Sequence, residues 1–303
     1  MKTNPYKYET VFITLIISFG LLLRGFNINF NDFWSDEMVS FYLSNPKLEF
    51  LDTIKLIFAS NLTVTFEIIL KFFHKIFGYN FEYSRYLTLL LSVFSIFYFY
   101  RLIKTNKSYY SAILGIVLLS INIYHIRYSV ELRSYTLTFL LTIILLNLIF
   151  YQGKIREFRN FLSYLLIFIV SLLMLFSHAY SIIVIISINF YIFLLWALKR
   201  NFTKSTALLF LSTSISSLLF ILIYISNISH TPTWLPALKS SFFTNYYFSS
   251  FFGSRILGLL HLVILLYLIT SQFSKVLKKF DIELFLIIFL FLTYIIPISY
   301  SLI

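Results

Sequence analysis

The 303-residue chain has no cysteine, only seven glycines and five prolines, and few charged residues. The absence of cysteine excludes disulfide frameworks, thiol catalysis and zinc-thiolate sites. There is no phosphate-binding Gly-Lys-Ser/Thr loop and no glycine-rich dinucleotide turn, so no nucleotide cofactor is expected. Charged residues make up 12% of the chain, against about 25% in soluble domains. These absences argue against a soluble enzyme.

Hydrophobic sequence is abundant instead, at 59% of the residues. A helix that crosses a bilayer needs about 20 predominantly apolar residues. We therefore predict an all-α, polytopic membrane protein, a single domain over residues 1–303. The nine predicted transmembrane helices are 10–24, 84–101, 109–124, 132–151, 161–176, 181–198, 206–226, 256–270 and 282–300.

The net charge of +12 would suggest a nucleic-acid partner in a soluble protein, but here its placement indicates orientation. More than half of the Lys and Arg residues lie at the N-terminus and in alternate short loops. The positive-inside rule makes that side cytoplasmic, so we predict a plasma- or inner-membrane protein with a cytoplasmic N-terminus and no nucleic-acid partner. These residues are Lys2, Lys7, Arg101, Lys104, Lys107, Lys154, Arg156, Arg159, Lys199, Arg200, Lys204, Lys275, Lys278 and Lys279.

Most of the twelve acidic residues lie on the opposite, outer side. The first outer loop, 26–83, is long and contains amphipathic stretches. Residues 66–73 predict a helix that lies in the membrane interface, apolar on one face and with lysines on the other. The outer side therefore contains the candidate functional residues.

Asp36-Glu37 is the first chemical signal, because an acidic pair follows the first hydrophobic helix of a chain that otherwise avoids charge. One interpretation is a general base or metal ligand at the outer membrane face. The alternative is a solvated surface pair, or an N-cap for a helix over 38–43.

A charged and aromatic segment precedes the fourth predicted helix. If it is helical, Tyr128, Glu131 and Tyr135 share a face, and Arg127 pairs with Glu131 at i,i+4. Arg133 would then point away, so either the helix breaks here or Glu131 and Arg133 have different roles. Charges at the end of a spanning helix are costly unless paired or used. The alternative is that the arginines snorkel and anchor the helix.

His178, in Ser177-His178-Ala179-Tyr180, lies in an outer hairpin, where a lone histidine is more often structural.

Together the three motifs resemble the GT-C superfamily of integral-membrane glycosyltransferases. They are an acidic pair after helix one, Tyr-Ser-x-Glu-x-Arg-x-Tyr opening helix four, and Ser-His-x-Tyr after helix five. The branch that the chain resembles most is the protein O-mannosyltransferase-like one, glycosyltransferase family 39, which is also similar to the aminoarabinose transferase of lipid A. The resemblance covers nearly the whole chain in order and topology.

Two features depart from this family pattern. Such proteins often carry His/Asn-Pro-Pro-Leu-Tyr-Tyr in the first loop, whereas residues 61–67 lack the prolines, which puts acceptor or metal binding there in doubt. They also usually continue through further helices, whereas this chain stops at Ile303. We therefore expect a C-terminally short GT-C-like chain: a truncated reading frame, a fragment or one piece of a split protein.

The resemblance implies sugar transfer from a polyprenyl-phosphate donor to a lipid, polysaccharide or protein acceptor at the outer face, a cell-envelope reaction among membrane lipids. It implies Asp36 as the base and Glu37 as a second carboxylate that orients the acceptor or a metal ion. Arginine is suited to a departing phosphate, so Arg133 is the first candidate for phosphate binding and Arg127 the second.

Four further residues complete the expected substrate site: Tyr128, Glu131, Tyr135 and His178. Inversion is expected, because a single displacement with one base suffices. The sequence leaves open whether a divalent cation is required. Two adjacent carboxylates are able to hold one, and GT-C branches differ in their use of a metal ion.

A transporter or flippase of lipid-linked sugars is the competing class, and a truncated, non-catalytic subunit is the third. A transporter predicts functional charges near the bilayer midplane and broken helices with repeat symmetry. The helix interiors here are nearly free of charge, which favours the enzyme.

Overall fold

The computed structural model describes residues 8–26, 28–29, 31–60, 64–157, 160–199, 202–227 and 254–301. Several residues used in the sequence analysis lie outside these described residues: Lys2, Lys7, 61–63, Arg159, Arg200 and Ile303.

The described chain is mostly helical, as predicted, and each of the nine predicted spans contains a helix. The helices are α1 (Glu9–Gly25), α2 (Ser35–Leu43), α3 (Phe50–Ala59), α4 (Val64–Phe77), α5 (Phe81–Asn106), α6 (Tyr109–Ser120), α7 (Ile123–Ser129), α8 (Tyr135–Ile149), α9 (Phe161–Leu175), α10 (Ile182–Lys199), α11 (Lys204–Asn227), α12 (Arg255–Lys279) and α13 (Ile282–Ser301). A 3₁₀ turn, Ala179–Ser181, precedes α10.

The nine-span count is not confirmed. Three helical segments among the described residues are long and apolar enough to cross a membrane: Phe81–Asn106, Ala179–Lys199 and Lys204–Tyr224. A fourth candidate exists if α6 and α7, which are bent by 58° relative to each other, form one broken span. Helices α8 and α9 have 15 residues each, a rise of about 22 Å against a hydrocarbon core of about 30 Å.

Helix α8 lies at the centre of the bundle, packed between α5 and α9. Helix α9 also packs against α11, and α10 packs against α11 and α13. Leu145 and Ile149 of α8, Ile167 of α9 and Phe285 of α13 have no exposed surface in this core. Burial of such apolar surface is the main stabilising contribution among these helices.

A β-hairpin joins α8 to α9, the only sheet in the described chain. Strands Phe150–Tyr151 and Lys154–Ile155 pair antiparallel around a two-residue turn. Gln152 and Gly153 there have φ of 51° and 80°, and the second of these positions suits glycine. The Gly153 N–H donates to Asn106 Oδ1 at 2.8 Å, and the Ile282 N–H donates to the Gly153 carbonyl at 2.7 Å. We call this the hairpin end of the bundle, where α5, α8 and α13 meet.

Helices α2, α3 and α4 cover the opposite end, which we call the α2–α4 end. The Thr65 N–H, at the start of α4, donates to the carbonyl of Phe176, just after α9, at 2.9 Å. Phe66 and Leu70 of α4 are fully buried. The predicted long first loop is therefore a packed helical cap on the bundle.

The segment 66–73 is helical, as part of α4, and Lys71 on it is only partly exposed. Lys71 Nζ donates to the carbonyls of Asn45 and Leu48 at 2.6 and 2.7 Å and to Thr53 Oγ1 at 3.0 Å. This ammonium group binds the chain between α2 and α3 because those carbonyls have no helical partner there.

Candidate functional site

The acidic pair begins α2 rather than preceding it. The N-cap interpretation for a helix over 38–43 is wrong, because the helix starts at Ser35. Glu37 reaches back to accept a hydrogen bond from the Trp34 N–H at 3.3 Å, which is half of a capping box. The two carboxylates differ in burial: Asp36 is 45% exposed and Glu37 only 2%. The surface-pair interpretation therefore fails for Glu37.

Glu37 forms a buried, two-point ion pair with Arg85 of α5. Arg85 Nε donates to Oε1 at 3.0 Å and Nη2 donates to Oε2 at 2.9 Å. The Leu132 N–H donates to Oε1 at 2.7 Å. With the Trp34 N–H, four donors occupy this carboxylate, so in this arrangement Glu37 holds the site together.

Arg85 is the residue that the sequence analysis missed. Its guanidinium also donates to the carbonyls of Ile28, Asn31 and Asp32, at 3.1, 2.7 and 3.3 Å, and lies 4.6 Å from the centre of the Phe33 ring. It therefore gathers the loop before α2. The sequence indicated Arg85 in one way. It is an arginine near the start of a long hydrophobic helix, where a charge is costly unless it is paired.

The helix breaks between α7 and α8, which confirms one of the two alternatives for this segment. Helix α7 ends at Ser129 and α8 begins at Tyr135. The Arg127–Glu131 pair is present, with Nε donating to Oε1 at 3.1 Å. Burial raises the pKa of Glu131, and the Arg127 hydrogen bond opposes that rise.

Arg133 lies in this break and touches α2. Its Nη2 is 3.6 Å from Asp36 Oδ2, and Nη1 donates to the Asp36 carbonyl at 3.3 Å and to Ser40 Oγ at 3.4 Å. The Arg133 Nε is buried and has no hydrogen-bond partner within the described ranges. The contacts to Asp36 and Ser40 are long, so the guanidinium is only loosely engaged.

Glu67 lies behind Ser40, on the buried face of α4. It is 3% exposed, and Ser40 Oγ donates to its Oε1 at 3.2 Å. Burial raises the pKa of Glu67 to about 7, with the nearby charge of Arg133 acting in the opposite direction. Its Oε2 has no partner among the described residues. Glu67 belongs to the segment 66–73, whose sequence predicts a helix but no role for this acid.

An aromatic row connects α7 to the turn before α10. The ring centres of Tyr128 and Tyr135 are 4.7 Å apart, and those of Tyr135 and His178 are 5.6 Å apart. Burial, followed by the positive charge of Arg133, lowers the pKa of His178 and favours the neutral ring. The Tyr180 N–H donates to Nδ1 at 3.3 Å, which assigns the ring proton to Nε2.

A polar cavity of about 420 Å³ opens beside the Glu37–Arg85 pair. Its lining includes five of the predicted site residues: Glu37, Arg127, Tyr128, Glu131 and Tyr135. The side chain of Arg127 is 70% exposed there.

An apolar groove of about 820 Å³ runs between α5, α8, α10 and α13. Tyr135 and His178 line it at the α2–α4 end, and Asn106 and Lys107 line it at the hairpin end. Its lining on α8 extends from Tyr135 to Leu146, a rise of about 17 Å. Tyr135 lines both spaces, so the polar cavity and the apolar groove meet at this residue.

Asp36 and Arg133 line neither of these spaces. They pair with each other beside the junction. The charge of Arg133 nonetheless acts on Glu131, in the polar cavity, and on His178, in the groove. All eight predicted site residues therefore lie in one region, and Arg133 is two residues from Tyr135, where the two spaces meet.

A metal site at the acidic pair does not fit this arrangement, because burial separates the two carboxylates and four donors occupy Glu37. Within the part of the chain that the structure describes, no three His, Asp or Glu side chains are close enough to share a metal ion.

Comparison with known proteins leaves the family resemblance a prediction. No family model matches the chain, no curated protein matches its sequence, and no solved structure matches its fold.

Proposed function

We propose that this chain is a nine-span glycosyltransferase of the plasma or inner membrane, with a cytoplasmic N-terminus and its active site at the outer face. It would transfer a sugar from a polyprenyl-phosphate donor to a lipid, polysaccharide or protein acceptor. The observation that supports this function is the junction at Tyr135 of an apolar groove and a polar cavity. A lipid-linked sugar has the same two parts: a long apolar chain and a polar head.

The phosphate of such a donor would lie at the junction, near Arg133. Arg133 suits this role because its guanidinium is only loosely held, by the long contacts to Asp36 and Ser40. A planar guanidinium is able to donate two parallel hydrogen bonds to a phosphate. Arg127 remains the second candidate, since it lines the polar cavity.

Asp36 is the proposed base. A base needs a free lone pair and access to the acceptor hydroxyl. Glu37 lines the polar cavity, but four donors occupy its oxygens. Glu67 is buried, whereas the Asp36 carboxylate is half exposed and has one long ionic contact. Asp36 would take the acceptor proton, the acceptor oxygen would attack the anomeric carbon, and the polyprenyl phosphate would leave with the bonding electrons. This single displacement inverts the anomeric centre.

The test is transfer from a panel of labelled polyprenyl-phosphate sugars to host membrane acceptors, comparing wild type with Asp36→Asn. The matched control is Asp52→Asn, an exposed acid on α3 that pairs with Lys55 on the surface. Loss of transfer in Asp36→Asn alone supports the proposal. Equal transfer in all three proteins removes Asp36 from the chemistry, and no transfer by any of them favours the non-catalytic subunit.

One observation favours the flippase alternative: the groove extends from the α2–α4 end to the hairpin end. Its lining is mostly apolar, which suits a lipid chain better than a sugar in transit. Proteoliposomes distinguish the two functions, because a flippase moves an intact labelled lipid-linked sugar across the bilayer without transferring it to an acceptor.

A further inference from the structure

Glu67 occupies a position where a carboxylate is costly. Phe66 and Leu70, on the same face of α4, are fully buried, and Glu67 itself is 3% exposed. An ionised carboxylate in such a place is strongly unfavourable unless a positive charge and hydrogen bonds compensate it. A hydrophobic residue would pack here without that cost, so the presence of an acid indicates a role beyond packing.

Two unpartnered polar atoms of opposite charge flank one serine. Arg133 Nε lacks an acceptor and Glu67 Oε2 lacks a donor among the described residues, and both are buried. Ser40 Oγ accepts from Arg133 Nη1 at 3.4 Å and donates to Glu67 Oε1 at 3.2 Å. The serine hydroxyl thus connects the guanidinium to the buried carboxylate.

We infer that Glu67 is a positioning residue, an inference that rests on the proposed function. Through Ser40, Glu67 keeps the guanidinium of Arg133 in position for the donor phosphate. Asp36 is then released from Arg133 and acts as the base. Arg133 Nη2 faces the half-exposed Asp36 carboxylate at 3.6 Å, and Nη1 donates to Ser40, which in turn donates to the buried Glu67. When a phosphate takes over the exposed side of the guanidinium, the Asp36 carboxylate loses its ionic partner. The contact from Nη1 to Ser40, and through Ser40 to Glu67, is retained and limits how far the guanidinium moves.

The pH dependence of this arrangement follows from the surroundings of Glu67. Arg133 is the charge that acts on its pKa. Glu37 and Arg85 neutralise each other, and His74 is held between Ser44 and Ser84 with a pKa lowered by burial. Helices α2, α3 and α5 pack against α4. The ionisable groups on these elements and in the break before α8 include Asp36, Glu37, Asp52, Lys55, Lys71, His74, Arg85 and Arg133, and Arg133 is the one whose charge acts on Glu67.

The test is binding of undecaprenyl phosphate, with neutral undecaprenol as the comparison ligand, to the full-length protein in lipid nanodiscs. The variants are Glu67→Gln and Ser40→Ala, and Glu49→Gln is the control for the same chemical change at an exposed position of the first loop. We expect Glu67→Gln and Ser40→Ala each to weaken binding of the phosphate about tenfold and to leave undecaprenol unchanged. The double variant should be no weaker than the worse single one, since both act through one connection.

The direction in which Glu67→Gln changes the affinity for the phosphate distinguishes a positioning role from a purely electrostatic one. Removal of a negative charge near Arg133 would by itself tighten binding of an anion. Weaker binding in Glu67→Gln therefore supports positioning, and unchanged or tighter binding overturns it. As a second readout, the ratio of the variant and wild-type Kd values should rise between pH 6 and pH 8 as Glu67 ionises, and this ratio cancels the titration of the ligand itself.

The failure of this inference is distinguishable from the failure of the proposed function. If wild type binds undecaprenyl phosphate and undecaprenol equally, the proposed donor class is wrong and the positioning role falls with it. If wild type prefers the phosphate and Glu67→Gln retains that preference in full, only the role of Glu67 is wrong. Near-identical circular dichroism spectra of the variants show that a change in binding is not a loss of fold.

Discussion

Glu37 and Arg85 form a buried salt bridge with two parallel hydrogen bonds, of 3.0 and 2.9 Å, between the N-terminal parts of α2 and α5. The pair also connects to the break before α8, through the Leu132 N–H on Glu37, and to the loop before α2, through the carbonyls on Arg85. Three separate parts of the chain are thereby held around the polar cavity.

Removal of one partner of this pair should destabilise the protein strongly. Glu37→Gln leaves the Arg85 charge buried without its counter-charge, which costs about 3–5 kcal/mol. We expect Glu37→Gln combined with Arg85→Met to be less destabilised than Glu37→Gln alone. Thermal unfolding in detergent measures this, with Asp52→Asn in the exposed Asp52–Lys55 pair as a control that should change little. Additive losses in the double variant would contradict the prediction.

The identity of the base can be decided between Asp36 and Glu131. Loss of a general base lowers the rate by about 100- to 10,000-fold, and we expect that loss for Asp36→Asn. Glu131 is engaged by Arg127 at 3.1 Å, so Glu131→Gln should cause a smaller loss. Single-turnover transfer by the two variants is the measurement, and the reverse ranking would move the base to Glu131.

Arg133 and Arg127 should differ as phosphate ligands. Lysine cannot reproduce the planar, two-point contact of a guanidinium. We expect Arg133→Lys to lower kcat about 100-fold, the size of effect seen when one donor to a developing negative charge is lost. Arg127→Lys serves as the comparison and should retain most of the activity. Equal losses in both variants would indicate that the phosphate lies in the polar cavity itself.

The groove should bind the lipid chain of the donor. Leu286 lines it and is 47% exposed, so Leu286→Trp should fill part of the space. We expect a raised KM for long polyprenyl donors and an unchanged KM for donors with only two isoprene units. Leu211→Trp, at a 51% exposed position of α11 away from the groove, is the matched control. An equal effect on long and short donors would count against the groove as the lipid site.

Glu67 should make stability fall as the pH rises. Burial raises its folded-state pKa to about 7 from the ordinary 4.5, so the folded protein binds this proton more tightly than the unfolded chain does. Stability from this group is present below pH 4.5 and is lost as the pH rises to 7, by about 3 kcal/mol in total. Glu67→Gln should remove that slope and melt above wild type at pH 8, with similar melting at pH 4.5. Parallel melting curves across this range would contradict the raised pKa.

Some of the site follows from local sequence. The Arg127–Glu131 pair was predicted from the i,i+4 spacing of a helix, and it is present although α7 ends at Ser129, before Glu131. The break after Ser129 was one of two alternatives, since a continuous helix would have turned Arg133 away from its neighbours. The Glu37–Arg85 pair was not predictable. The two residues are on different helices, and the spacing of residues along one helix does not indicate which residue of another helix they contact.

The apolar runs of the sequence determined that the described chain is mostly helical and that each of the nine predicted spans contains a helix, because such runs satisfy their backbone hydrogen bonds locally as helices. They did not determine the number of membrane spans. Only the tertiary structure decided which carboxylate is buried, which arginine pairs with it, and that Ser40 stands between Arg133 and Glu67. Those contacts join residues that are far apart in sequence. The folded chain buries Glu37 against Arg85, leaves Asp36 half exposed, and places Glu67 on the buried, apolar face of α4.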